Sequence, residues 1–158
     1  AKTKEEWKKA AANEKPAWCY YKNAPANGAK YGKLYNWYAV NDPRGLAPEG
    51  WHIPSDQEWS VLTNYLGGNS HAGAKMKSKE GWNYNGNGTN SSGFSGLPGG
   101  YRPNDGTFYH VGSIGYWWSS TEDVTSLAWN RYLHYSNGNV NRGYYNKPNG
   151  LSVRCLRD

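Results

Sequence analysis

The sequence predicts an α+β fold, and three regional patterns indicate it. Two segments in the first half, residues 3–6 and 55–58, carry helix-start signals. The middle, residues 81–100, is dense in Gly, Asn and Ser, which favours a long loop region. From Leu127 onward, residues alternate as in antiparallel strands. We therefore expect two helices, short antiparallel sheets and a large fraction of ordered loop.

Both expected helices begin with a capping box, in which Ser or Thr is followed three residues later by Glu. The first box is Thr3–Glu6, and its helix runs to about residue 14. The second box is Ser55–Glu58, directly after a proline. Behind it, apolar residues recur at helical spacing: Trp59, Leu62 and Leu66.

The alternation after Leu127 predicts a strand with two different faces, followed by a hairpin turn at Asn137-Gly138. We expect one face to anchor the strand on the core, and it carries Trp129, Arg131, Leu133 and Tyr135. The other face is expected to meet solvent or a ligand, and it carries Asn130, Tyr132, His134 and Ser136.

Composition excludes several classes of protein. Aromatic residues make up 16% of the chain and charged residues 19%, whereas disordered chains are poor in aromatics. No apolar run is long enough for a transmembrane helix. The net charge of +6 is spread along the chain with no basic block, so we expect no nucleic-acid partner.

Motifs for catalysis, metal binding or cofactor binding are absent from the sequence. The four histidines, His52, His71, His110 and His134, have no ligand spacing, and no Cys-x-x-Cys pair occurs. Cys19 and Cys155 are either two buried free thiols or a bridge closing nearly the whole chain. We expect no enzyme, no metal and no cofactor.

Long motifs between Trp18 and the end of the chain resemble the Fibrobacter succinogenes major paralogous domain. They are Tyr31–Val40, Leu46–Ser55, Leu97–Arg102, Gly115–Glu122 and Ser152–Asp158. The resemblance implies a C-type-lectin-like domain over residues 18–158, preceded by a separate helical segment over 1–17. It also implies export to the outside of a bacterial cell or association with a phage. Because first and last strands pair in that fold, it implies a Cys19–Cys155 disulfide.

The resemblance further implies a non-enzymatic ligand-binding domain, receptor-like or adhesin-like, whose partner is a protein or glycan on another cell or surface. One alternative is a carbohydrate-binding module without the usual calcium site, because Arg102-Pro103-Asn104, Lys147-Pro148-Asn149 and Trp129-Asn130-Arg131 depart from the calcium-binding tripeptides of C-type lectins. A second alternative is an enzyme of the formylglycine-generating type, which would need exposed reactive cysteines.

Relatives of this kind include variable proteins of diversity-generating retroelements, in which adenines of Asn codons are mutated. Such codons do not yield Lys, Glu, Gln, Met or Trp. Residues 123–146 contain one residue of these five types, Trp129, where about four or five are expected from the whole chain. This segment is also rich in Tyr, Asn, Ser and Gly, as antibody binding surfaces are.

We therefore place the ligand-binding surface on residues 123–149. The candidate binding residues are Asp123, Thr125, Asn130, Tyr132, His134, Ser136, Asn139, Asn141, Tyr144, Tyr145 and Asn146. Six tryptophans are assigned to the scaffold instead: Trp37, Trp51, Trp59, Trp117, Trp118 and Trp129.

Overall fold

The computed structural model describes all residues, 1–158, and has the predicted α+β composition. It contains five α-helices, three more than expected. They are α1 Lys4–Ala12, α2 Pro25–Tyr31, α3 Trp37–Val40, α4 Asp56–Tyr65 and α5 Asn69–Met76. The additional helices are short, which explains why the helical periodicity of the sequence does not reveal them.

Nine strands form three sheets. The strands are β1 Trp18–Cys19, β2 Leu34–Tyr35, β3 Trp51–His52, β4 Gly99–Tyr101, β5 Tyr109–Val111, β6 Ile114–Val124, β7 Leu127–His134, β8 Asn141–Asn146 and β9 Leu156–Arg157. Two small antiparallel sheets pair β1 with β2 and β3 with β9. The large sheet has the order β5-β4-β6-β7-β8. It is mixed, because β4 runs parallel to β6. The other strand pairs are antiparallel, as expected.

The capping signals formed as predicted at α4 and in part at α1. Ser55 accepts a hydrogen bond from the backbone N–H of Glu58, whose carboxylate accepts one from the N–H of Ser55. At α1, Thr3 accepts from the N–H of Glu6, but the Glu6 carboxylate reaches back to the N–H of Lys2. Both helices therefore start where their sequence signals are.

Three hydrophobic clusters form the core. One lies between α4, α5 and one face of the large sheet, and a second lies between α3 and the opposite face. The third contains Trp7 of α1 packed with Ala17, Cys19, Tyr21 and Leu34. Residues on both sides of position 17 thus share one cluster, and α1 is held through Trp7.

The expected disulfide is wrong, since Cys19 and Cys155 are both free thiols. Strand β1, which contains Cys19, pairs with β2, and Cys155 precedes β9, which pairs with β3. Cys19 is buried in the Trp7 cluster, whereas Cys155 packs against the cluster around α3. The first and last strands do not pair with each other, so nothing brings the two sulfurs together.

No helix of the structure has both the length and the apolar character needed to cross a membrane.

Candidate ligand-binding surface

The predicted binding residues lie on β7, β8 and the two turns beside them, but on two different faces of the sheet. In the register of β7 with β8, Tyr132 is opposite Asn141, and Trp129 is opposite Tyr144. Because successive residues of a strand point to opposite faces, Tyr144 and Tyr145 cannot belong to one surface. The single surface expected from the sequence is therefore divided by the pleat of the sheet.

One of these faces carries a cluster of aromatic rings, which we call the tyrosine face. Its half-buried or exposed members are Tyr101, Tyr109, His110, Tyr132 and Tyr145. Tyr101 stacks on Tyr145, with ring centroids 5.4 Å apart and planes inclined by 20°. Tyr101 also lies 6.0 Å from Tyr109 and 5.4 Å from His110. These rings come from β4, β5, β7 and β8, so the sheet itself brings them together.

Tyr116 of β6 is the buried centre beneath this face. Its ring contacts those of Tyr101, Tyr132 and Tyr145 at 5.3, 5.7 and 5.5 Å. Its hydroxyl lies 3.0 Å from Nδ1 of His110. Burial raises the pKa of Tyr116 far above its usual value, with hydrogen bonding to Tyr145 acting in the same direction. The phenol therefore stays neutral and serves as a fixed support for the exposed rings.

His110 is held in an unusual backbone conformation at the edge of the tyrosine face. Its φ is +69°, in the left-handed region that non-glycine residues seldom adopt. Burial lowers the pKa of its imidazole, and the nearby charge of His134 lowers it further. A neutral His110 can both donate and accept a hydrogen bond at this surface.

The prediction that Asn130 binds a ligand is wrong, because its side chain is fully buried and unavailable to a ligand. Neither Oδ1 nor Nδ2 has a hydrogen-bond partner within the chain. It lies on the same side of β7 as Tyr132, and Trp118 and Gly143 are its neighbours across the ladder. The packing of α3 and Leu151 against this half of the sheet covers positions that alternation alone assigns to solvent.

Trp129 and Trp51 are less buried than expected for scaffold residues. Trp51 is 44% exposed, and Trp129 is only half-buried. The guanidinium of Arg142 lies 3.3 Å from the centre of a Trp129 ring, and Tyr144 meets Trp129 edge-on. On this second face, Arg131 and Leu133 are buried as expected, and Arg131 pairs with Asp56 at 2.6 Å. The other four assigned tryptophans, Trp37, Trp59, Trp117 and Trp118, are buried as expected.

The remaining predicted residues lie at the two ends of the β7–β8 pair. Asp123, Thr125 and Asn146 are near the β6–β7 turn, where Lys147 donates to the Thr125 carbonyl at 2.6 Å. At the other end, the hydroxyl of Ser136 lies 2.7 Å from Nδ1 of His134, and Asn139 is exposed. Buried Lys77 fixes this turn by donating to the carbonyls of His134 and Asn137.

Sequence reasoning missed Tyr101, Tyr109 and His110. Strands β4 and β5 are three residues long, so no alternation identifies them. Strand β5 pairs only with β4, and β4 joins the large sheet through a parallel pairing with β6 that the sequence does not signal. The available signal was the Leu97–Arg102 motif, which includes Tyr101. No group of three or more His, Cys, Asp or Glu side chains is arranged to hold a metal ion.

Comparison with known proteins gives a single result. No curated protein and no solved structure matches the chain. The family model described as the Fibrobacter succinogenes major domain matches residues 1–157, including the N-terminal helix that the resemblance in the sequence left out. The chain belongs to the Fibrobacter succinogenes major domain family.

Proposed function

We propose that the protein is a non-enzymatic ligand-binding domain, receptor-like or adhesin-like, that recognises its partner through the tyrosine face. It acts outside the cell, on a bacterial surface or as part of a phage, and its ligand is a protein or glycan on another cell or surface. The scaffold in this proposal is C-type-lectin-like. The α+β composition supports that scaffold.

The observation that carries the proposal is the arrangement of aromatic rings on a rigid sheet. Tyr101, Tyr132 and Tyr145 are fixed by contacts with buried Tyr116, so they lose little conformational freedom when a ligand binds. Tyrosine offers a large apolar area with a polar hydroxyl, which is why binding surfaces use it. The left-handed conformation of His110 adds a local strain of the kind that clusters at functional sites.

The state of the two cysteines supports a non-enzymatic function. Burial raises the pKa of Cys19 and of Cys155. Reactive cysteines need the opposite shift, because the thiolate is the attacking species. Because both thiols are free, no disulfide supports export of the protein. The extracellular location is therefore proposed from the family alone.

Diversification by a retroelement remains part of the proposal for residues 123–146. The exposed positions Thr125, Asn139 and Asn146 could change without disturbing the core, whereas buried Asn130 could not. A reverse transcriptase gene beside this gene, with a near-copy of the segment that differs at adenines, is the expected finding. If the genes beside this one include neither a reverse transcriptase nor a near-copy of the segment, diversification is refuted. The proposal that the tyrosine face binds a ligand does not depend on that result.

Binding to intact cells tests the function. The labelled domain is applied to a panel of bacterial and animal cells, and the double variant Tyr132→Ser/Tyr145→Ser should lose binding to any cell that the wild type labels. Tyr144→Ser is the matched control, because Tyr144 is adjacent in sequence but lies on the opposite face. Tyr109→Ser, at an exposed position, gives a second test should the double variant unfold.

Pretreatment of the cells separates the two ligand classes. Protease-sensitive binding would identify a protein ligand, and periodate-sensitive binding would identify a glycan. Failure to bind any cell, or equal loss in the Tyr144→Ser control, would contradict the proposal.

A further inference from the structure

A cleft of about 460 Å³ lies away from the tyrosine face, beside the end of α2, β2 and the chain around Phe94. Its charged side chains are Lys33 and Arg154, and no Asp or Glu lines it. The chain's ion pairs all involve other residues, so neither cation has an anionic partner. Two unpaired cations in one concave site leave it with a local positive charge.

Each cation lies over an aromatic ring, and of the two rings Phe94 lines the cleft whereas Trp18 does not. The Arg154 guanidinium carbon lies 4.9 Å from the centre of the Phe94 ring, and Nζ of Lys33 lies 4.2 Å from that of Trp18. Such contacts stabilise a cation through the ring face but do not use its N–H donors in hydrogen bonds to oxygen. Arg154 therefore keeps its planar set of donors, which matches a carboxylate.

The other walls of the cleft present hydroxyl groups and rings. The lining residues that carry hydroxyl groups are Tyr20, Tyr31, Tyr35, Ser95 and Ser152. Phe94 and Trp117 form an apolar part of the lining, with their ring centroids 5.3 Å apart and their planes nearly perpendicular. Hydroxyl groups bind the hydroxyls of a sugar, whereas the rings of Phe94 and Trp117 are buried in the core and only border the cleft. The volume of the cleft fits a small ligand.

We propose that this cleft binds a sugar residue that carries a carboxylate, with Arg154 and Lys33 pairing with the carboxylate. Phosphate pairs with the same two cations, but this cleft lacks the helix start that many phosphate sites add. Here α2 ends at the cleft with Tyr31, and no helix begins there. The site shares no residue with the tyrosine face, so it stands or falls independently of the cell-binding function.

Calorimetric titration with two matched disaccharides tests the ligand class. Digalacturonate and α-1,4-galactobiose have the same ring hydroxyls and differ in the carboxylate that replaces the hydroxymethyl group on each of the two rings. We expect digalacturonate to bind at least about tenfold more tightly, with an affinity that falls as salt is added. Equal affinities, or no binding of digalacturonate, would overturn the proposal.

Charge-removing variants test the assignment of residues. Arg154→Gln and Lys33→Gln should each weaken digalacturonate binding, Arg154→Gln by at least about tenfold because it removes the two-pronged contact. Arg157→Gln is the control, since Arg157 is exposed and does not line the cleft. Wild-type affinity in both cleft variants, or an equal loss in the control, would refute the site. Tyr132→Ser/Tyr145→Ser should bind digalacturonate normally, which separates this result from the cell-binding experiment.

Discussion

Two tryptophans on adjacent strands of the large sheet, Trp118 and Trp129, have different environments. Trp118 is fully buried, and its Nε1–H donates to the carbonyl of Tyr35 at 2.8 Å. Trp129 is half-buried, and Arg142 covers one of its faces. The difference follows from what packs on each side of the sheet, since both residues belong to its central strands.

Replacing these two tryptophans by alanine should have unequal effects on stability. Trp118→Ala leaves a large cavity and should lower the free energy of unfolding by about 3–5 kcal/mol. Trp129→Ala loses the contact with Arg142 and part of its packing, for which we expect about 1–2 kcal/mol. Urea denaturation measures the free energy of unfolding of both variants. A larger loss of stability for Trp129→Ala than for Trp118→Ala would show that Trp129, not Trp118, is the more buried residue.

At the scale of elements, one carboxylate pairs with both arginines at the contact of α4 with β7 and β8, where Arg131 also donates to the Asp56 carbonyl and to the Ser60 hydroxyl. Asp56, the first residue of α4, accepts hydrogen bonds from buried Arg131 and half-exposed Arg142. Burial raises the pKa of Asp56, but the hydrogen bonds from Arg142 and Arg131 outweigh it and leave the pKa below the usual value. The ionised carboxylate is therefore the form that the folded state stabilises.

Asp56→Asn should lower the free energy of unfolding by about 3 kcal/mol at neutral pH, because it leaves Arg131 buried without an anionic partner. Since the folded-state pKa of Asp56 is depressed, its contribution is complete above the unfolded-state pKa of about 3.9 and disappears as the pH falls below it. The difference between wild type and variant should shrink accordingly in urea denaturation at decreasing pH.

Asp42→Asn is the matched control for this experiment. Hydrogen bonds from Arg44 lower the pKa of Asp42 to about 2, but Arg44 is largely exposed. The Asp42 side chain is only 11% exposed, but its removal leaves no buried cation because Arg44 is 81% exposed, so this variant should lose less stability than Asp56→Asn. Equal losses in the two variants would mean that Arg131 does not depend on the charge of Asp56.

The same elements explain which parts of the structure could be predicted from the sequence. Helix α4 has a local start signal and ten residues of periodic sequence, so it could be found. The faces of β7 could also be separated by alternation, but alternation does not tell which face another element covers. That depends on α3 and α4, which pack from distant parts of the chain. Arg131 and Leu133 are buried as expected, whereas Trp129 is only half-buried and Asn130 is buried.

For the whole molecule, the N-terminal helix is joined to the C-terminal half through Trp7 and Arg102. The Trp7 Nε1–H donates to the carbonyl of Pro103 at 2.9 Å. Arg102, fully buried, lies between the rings of Trp7 and Phe108 and donates to the carbonyl of Thr3 at 3.0 Å. The match of the family model to residues 1–157 agrees with this arrangement, in which α1 closes the cluster around Cys19.

Cys19 can report on this closure, because its thiol is buried beneath α1 while Cys155 is half-exposed. In a Cys155→Ser background, Trp7→Ala should lower the free energy of unfolding by about 3–5 kcal/mol and accelerate labelling of Cys19 at least about tenfold, since local opening then costs less. Trp51→Ala, at an exposed position, should change stability by less than about 1 kcal/mol and leave the labelling rate as it was. Labelling kinetics with a thiol reagent under native conditions decide the matter. If Cys19 reacts equally fast in all three proteins, α1 does not protect it, and residues 1–17 form a segment separate from the rest of the domain.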